Sequence, residues 1–134
     1  MKIGVTGTRE GANDQQLLGV IEFLETVELP AELHHGDCTG VDVQVAAAAK
    51  QLGFKIVCYP PKSTETQGFF GGDIIHEAKG YLERDRNIVD SCDMLLVVPL
   101  QNEWQPKGGT WYTHDYAVKK GKPLMIFYPG VKHD

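Results

Sequence analysis

Gln105-Pro106-Lys107-Gly108-Gly109-Thr110-Trp111-Tyr112-Thr113 is the stretch on which the reading of the fold turns. An apolar run, Met94 to Val98, leads towards it, and a helical pattern, Thr110 to Lys120, leaves it. The order is strand, glycine loop, helix. Two adjacent glycines let the backbone come close to a bound group. Thr110 then opens the helix, where unpaired N–H groups and the positive end of the dipole favour an anion. The turn Gly108-Gly109-Thr110 is therefore expected to hold a phosphate, with other loops converging on the same ligand.

The same alternation runs through the rest of the chain. Lys2 to Thr6 is a β-rich run, followed by the loop Gly7-Thr8-Arg9-Glu10-Gly11. Asn13 or Asp14 can cap a first helix, whose apolar face is expected on Leu17, Leu18, Ile21, Leu24 and Val27. A second strand, Glu32 to His35, leads through Gly36-Asp37-Cys38-Thr39-Gly40-Val41-Asp42 into a helix that stops at Gly53. Phe54 to Tyr59 reads as strand, Ile74 to Ser91 as a helix with Gly80 as a weak point, and Asp93 to Pro99 as strand. After the Thr110 helix come a last strand, Pro123 to Tyr128, and a loose tail from Pro129 to Asp134.

This β-α alternation without repeat or linker predicts one domain over residues 1–134. Its expected fold is a Rossmann-like three-layer α/β/α sandwich on a parallel five-stranded sheet, order 3-2-1-4-5. In such a sheet ligands sit where the strand order reverses, outside the carboxyl ends of the first and fourth strands. Gly7-Thr8-Arg9 and the Pro99 to Gly109 loop end those strands, and Gly36 to Asp42 lies beside them.

Several residues in these loops are candidates for contact with a ligand. Arg9 either forks onto a phosphate or stands free on the surface. N–H groups at Gly40 and Val41 offer a second anion site. Asp42 either binds ribose hydroxyls or caps its own helix. In Arg84-Asp85-Arg86-Asn87 the first pair reads as a solvated face, whereas Arg86 and Asn87 suit a phosphate and a sugar or base edge. The glycine-bearing segment Lys62 to Asp73 is long for a loop. Its Phe69 and Phe70 either tuck into the core edge, cover a ligand base or meet a second copy of the chain. His34 and His35 read as structural, and His114 as a surface or packing residue.

Composition narrows the function. The chain has 134 residues, 42% of them apolar, a net charge of −5 and a pI of about 5.5. That balance disfavours a general nucleic-acid binder, which would show a basic face. Three cysteines at wide spacing form no zinc pattern. Cys58 and Cys92 read as core thiols, and a cytoplasmic setting is expected. No leader or membrane span is legible in the residues. There is no G-x-G-x-x-G after the first strand, no Walker A and no Ser-His-Asp order, so no cofactor is expected. The pair Asp37 and Asp42 lacks a third ligand of suitable spacing, so no metal is expected either.

Taken in order, these motifs resemble the SLOG superfamily (SMF/DprA and LOG proteins), nearest its small YspA-like and YpsA-like branches. The resemblance rests on Gly4-Val5-Thr6-Gly7-Thr8-Arg9, His35 to Asp42, Tyr59-Pro60 and Arg86-Asn87-Ile88-Val89-Asp90 with Asp93 to Val97 behind it. Gly108-Gly109-Thr110-Trp111, Ala117, Gly121-Lys122-Pro123 and Tyr128-Pro129 complete it. It implies a Rossmann-like domain that binds nucleotides or nucleotide-derived molecules. The ligand loops it implies are Gly7, Thr8 and Arg9; Gly36, Asp37, Thr39, Gly40 and Asp42; Arg86 and Asn87; and Gly108, Gly109 and Thr110.

Members of that superfamily differ in what they do: LOG enzymes cleave the N-glycosidic bond of nucleoside monophosphates, others bind signals related to ADP-ribose, and the DprA branch binds single-stranded DNA. LOG enzymes carry glutamates after the Gly-Gly-x-Gly-Thr turn. Here Thr110 is followed by Trp111, Tyr112 and Thr113, with no acid before Asp115. The expected function is thus capture of a nucleotide or a nucleotide-derived, ADP-ribose-like ligand without turnover. The alternative is an N-glycoside hydrolase or transferase acting on nucleoside monophosphates, with an acid from Asp37, Asp42 or Asp115. A homo-oligomer through Trp104, Trp111, Phe69 and Phe70 is a third expectation.

Overall fold

The structure, a computed structural model, describes residues 1–130. Ten elements follow one another: β1 (Lys2–Gly7), α1 (Asp14–Glu25), β2 (Glu32–His35), α2 (Val41–Gln51), β3 (Lys55–Cys58), β4 (Ile74–Ile75), α3 (Tyr81–Ser91), β5 (Met94–Val98), α4 (Gly109–Lys119) and β6 (Leu124–Ile126). All strand pairs are parallel, in the order β4-β3-β2-β1-β5-β6. The Rossmann-like α/β fold is as expected, with one strand more at the edge. Of the expected tail, residues 131–134 lie outside the described residues.

β5 is buried on both faces, as its unbroken apolar run requires. Leu96 and Val98 join Ile3, Val5, Leu33 and Ile56 against Val20 and Leu24 of α1 and the alanine-rich face of α2. Leu95 and Val97 point the other way and pack on Val89 of α3 and Ala117 of α4. Helices therefore cover both sides of the sheet. Gly4 lets α3 come close: a Cβ there would stand 3.0 Å from Ile88 Cγ2 and 3.1 Å from Cys92 Sγ.

Two expectations about helices change. Ile74 and Ile75 do not open α3; they pair with Val57 and Cys58 as an edge strand. Ile56 N donates to Asp73 Oδ2 at 2.8 Å, and His76 N donates to Cys58 O at 2.9 Å, which pins both ends of that short pairing. Two β-branched residues suit a pleated edge. Helix begins only after Gly80, whose backbone is extended (φ −60, ψ 156). In α1 the buried stripe is Gln16, Val20 and Leu24, while Leu18 is 58% exposed. Gln16 is drawn inward because its amide donates to Pro99 O and Phe127 O, each at 2.8 Å. Asn13 caps the helix and forms a capping box with Gln16.

Gly40 shows how tightly the loops are joined. Its φ is +84, and a Cβ would meet the Thr8 carbonyl oxygen at 2.6 Å. Gly40→Ala combines left-handed strain with a backbone collision and is expected to cost about 2–4 kcal/mol. Gly80→Ala, with extended backbone and open space around it, is expected to cost less than about 1 kcal/mol. Urea unfolding of both variants checks the contrast.

Candidate functional site

A cleft of about 450 Å³ opens at the carboxyl ends of β1 and β5, where the strand order reverses. Its walls come from the β1–α1 loop, the start of α2, the first two turns of α3 and the start of α4.

The β1–α1 loop is held by main-chain bonds. Thr8 N donates to Val98 O at 3.0 Å, while Thr8 O accepts from Gly11 N at 3.2 Å and Val41 N at 3.1 Å. The last bond engages the N–H that the sequence offered as an anion donor at the start of α2. The rest of that junction also closes on itself. Asp42 Oδ2 accepts from Gly36 N at 2.9 Å and Cys38 N at 3.3 Å, so the carboxylate caps its own loop. Burial pushes the Asp42 carboxyl up, against the pull of His35 and Arg84. Asp37, at φ +55, turns away from the cleft: its carboxylate accepts from Phe70 N at 2.8 Å and Gln67 Nε2 at 3.1 Å and anchors the 62–73 segment.

The start of α4 shares with α2 a glycine N-cap at positive φ and no side-chain cap, but among the described residues no bond like that from Val41 N to Thr8 O engages its first amides. Gly108 has φ +99 and supplies no side-chain cap. The first helical bond runs from Tyr112 N to Gly108 O, at 3.0 Å. The N–H groups of Gly109, Thr110 and Trp111 therefore precede the first intrahelical bond. Gly108, Gly109 and Thr110 all line the cleft, with Lys107 beside them and Arg9 also in the wall. Trp111 is buried and donates to Gln101 Oε1 at 3.0 Å, tying the preceding loop to the helix.

The floor is an ion pair. Arg84 and Asp85 are 4% and 7% exposed, which corrects their reading as a solvated face. Arg84 Nε donates to Asp85 Oδ1 at 2.8 Å, Nη1 donates to the Gly36 carbonyl, and both terminal nitrogens lie 3.6 Å from Cys38 Sγ. Burial works against the Arg84 charge, but Asp85, Cys38 and Asp42 outweigh it and hold its pKa above the ordinary value. For Asp85 burial wins over the attraction of Arg84, and the nearby Asp42 adds to it, so the carboxyl is pushed up to about 6. Its Oδ2 stands 3.8 Å from where a side chain on Gly109 would begin, beside the open helix end.

The structure thus brings together Gly7, Thr8, Arg9, Asp42, Gly108, Gly109 and Thr110. It leaves Gly36, Asp37, Thr39 and Gly40 outside the cleft lining. Arg86 points elsewhere and donates to Tyr112 Oη at 2.9 Å, and Asn87 faces a separate groove with Tyr59 and His76. Tyr81, Arg84, Asp85 and Cys38 are the residues that sequence reasoning missed. The signal was present: Tyr81, Arg84, Asp85 and Ile88 share one stripe at i, i+3, i+4 and i+7. Neither Phe69 nor Phe70 lines the cleft; Phe69 is exposed and Phe70 packs edge-on against His35. Trp104 is exposed and donates to Asp115.

Among the described residues, one trio has metal-ligating atoms within 4.8 Å of one another: His35, Asp37 and Cys58. Those atoms already serve the protein. His35 Nε2 bonds Gly71 O and its Nδ1 accepts from Asp37 N, while Cys58 lies beside the Asp37 carboxylate and has its thiol pushed up to about 12, chiefly by burial. A cation would have to break this set. His34 likewise lies inside, between Glu32 Oε1 at 2.7 Å and Tyr59 Oη at 2.8 Å.

A parallel sheet with an open helix end at its switch point defines a Rossmann-like fold with a candidate anion cleft. No protein-family model and no curated protein sequence matches the chain. Solved structures do. The molybdenum cofactor binding protein of the phototrophic bacterium Rippkaea orientalis is 23% identical, with a TM-score of 0.69 over 93% of this chain and 74% of that one. DprA from Streptococcus pneumoniae is 21% identical with a TM-score of 0.71; the match covers 99% of this chain but only 52% of DprA. DprA from Helicobacter pylori, which binds single-stranded DNA, is 20% identical with a TM-score of 0.66 over 94% of this chain and 64% of that one. The likeness to these structures is one of fold. No described helix is long and apolar enough to cross a membrane.

The position of Asp85 yields a pH prediction. The folded chain holds this proton to about pH 6, whereas an unfolded aspartate releases it near about 3.9. The contribution to stability is full below about pH 4 and is lost as pH rises through about 6. Asp85→Asn removes that dependence. Relative to wild type, the variant is expected to gain about 2 kcal/mol between about pH 4 and pH 7. Urea unfolding of both proteins across that range checks it.

Proposed function

We propose that the cleft binds a nucleotide or nucleotide-derived ligand, with an anionic phosphate at the start of α4. The observation that carries this reading is the glycine-opened first turn of α4, which faces the same cavity as Arg9 and Lys107. A helix N-terminus with unengaged amides is a ready anion site. Arg9 supplies a mobile counter-charge, and the volume suits one small ligand. The net charge of −5 favours a single small anion over a nucleic-acid strand. One solved structure of this fold is a molybdenum cofactor binding protein and another binds single-stranded DNA, which supports a phosphate-bearing guest for this chain. An ADP-ribose-related compound belongs to this class.

Calorimetry with nucleoside monophosphates, cyclic nucleotides and ADP-ribose tests the proposal. At least one is expected to bind and to be recovered unchanged. Gly109→Glu places a carboxylate in the proposed phosphate position while complementing the helix dipole. It is expected to fold as wild type by circular dichroism and to lose at least about tenfold in affinity, the loss of roughly one charge-assisted contact. Binding that survives this change unaltered removes the phosphate from α4.

One observation favours a second reading, cleavage of an N-glycosidic bond. Asp37 and Asp42 are engaged with loop amides, and Asp115 is exposed and bonded to Trp104 and His114. Asp85 lines the cleft, and its carboxyl is pushed up to about 6. Such a group can protonate a departing base while water takes the sugar carbon. On this reading wild type releases free base from a nucleoside monophosphate, and Asp85→Asn lowers the rate at least about a hundredfold. Absence of base release across the four common monophosphates eliminates it.

A further inference from the structure

Tyr81 has a setting that the phosphate reading does not use. It opens α3 and lines the cleft. Its hydroxyl is bonded to Thr66 Oγ1 at 2.9 Å, and Thr66 O accepts from Thr39 N at 2.9 Å. The ring is thus tied through the 62–73 segment to the loop after β2, and its orientation is set before any ligand arrives.

Two guanidinium groups stand over this ring, and they differ in freedom. Arg84, 5.5 Å from the centroid, is buried and held by Gly36 O, Asp85 and Cys38. Arg9, 4.9 Å from the centroid, is exposed. Among the described residues its guanidinium makes no hydrogen bond or ion pair, and the Tyr81 ring is its recorded partner. A flat cation held only by the π-face of a half-buried ring is readily exchanged for another flat group. Arg9 sits in the same loop as Gly7 and Thr8, so on leaving the ring it stays within the cleft that contains the start of α4.

We infer that Tyr81 is the stacking platform for the planar base of the ligand, and that Arg9 covers the ring until the base replaces it. The inference rests on the nucleotide reading above and adds a residue that selects for an aromatic base. It also assigns to α3 the role that sequence reasoning offered to Phe69 or Phe70. Stacking is tolerant of base identity, because every base has a π-face. The cleft is therefore a site for nucleotides as a class, with Tyr81 separating them from sugar phosphates that lack a base.

The test compares AMP, GMP, CMP and UMP with ribose 5-phosphate by calorimetry on the full chain. Wild type is expected to bind at least one monophosphate about tenfold tighter than ribose 5-phosphate. Tyr81→Leu is expected to bring the two within about threefold, leaving ribose 5-phosphate affinity unchanged. Tyr81→Phe keeps the ring without the Thr66 bond and is expected to keep the preference. Arg9→Ala is expected to weaken both ligand types together. If Tyr81→Leu keeps the preference, or weakens both ligand types alike while melting as wild type, the platform is overturned. Equal binding of monophosphates and ribose 5-phosphate by wild type also overturns the platform, yet leaves phosphate capture at α4 standing. Failure of wild type to bind any of these compounds, cyclic nucleotides or ADP-ribose overturns both.

Discussion

The buried guanidinium of Arg84 is the constraint on which the site depends. A charge this deep is tolerable only when paired and hydrogen-bonded, and Asp85, the Gly36 carbonyl and Cys38 supply those partners. The pairing fixes α3 against the loop after β2. It also explains Gly36: a Cβ there would overlap the guanidinium. One turn further along the same face of α3, Gly4 admits Ile88 and Cys92 to the sheet. One helix is thus positioned by a glycine at each contact, and its first two turns become a wall of the cleft.

The two glycine junctions show what separates an anion site from a structural turn. Both follow a strand and open a helix. After β2, Asp42 supplies an internal acceptor for two loop amides, and Thr8 takes the N–H of Val41. Three amides of that junction are engaged without a ligand, although Gly40, like Gly108, supplies no side-chain cap. At the start of α4 no side chain caps the helix, and the open turn faces the cavity. The difference is a matter of partners rather than of glycine content. Asp37 adds a second internal acceptor, which secures the 62–73 segment and, through Thr66, the orientation of Tyr81.

Charge in the cleft is balanced rather than uniformly basic. Arg9, Arg84 and Lys107 line it together with Glu10, Asp42 and Asp85. Arg84 is neutralised internally by Asp85, which leaves Arg9, Lys107 and the α4 dipole as the groups facing outward to an anion. A carboxyl that retains its proton near pH 6 beside that helix end makes the local charge sensitive to mild changes of pH.

Much of the architecture was legible in the residues alone. Among the described residues, alternating apolar runs and helical stripes marked five of the six strands and all four helices, and Gly108-Gly109-Thr110 marked the open turn. These are local properties: side-chain period and backbone freedom are written over a few consecutive positions. The edge strand Ile74–Ile75 was not legible, because two apolar residues carry no period and its register comes from β3. Nor was the choice between Arg84-Asp85 and Arg86-Asn87. Neighbours on a helix differ by about 100° in direction, so a shift of one or two positions exchanges cleft for surface. Which face turns inward was decided by Ile88 and Cys92 packing on Gly4 and by the Gly36 carbonyl awaiting a donor, contacts between segments that lie far apart along the chain.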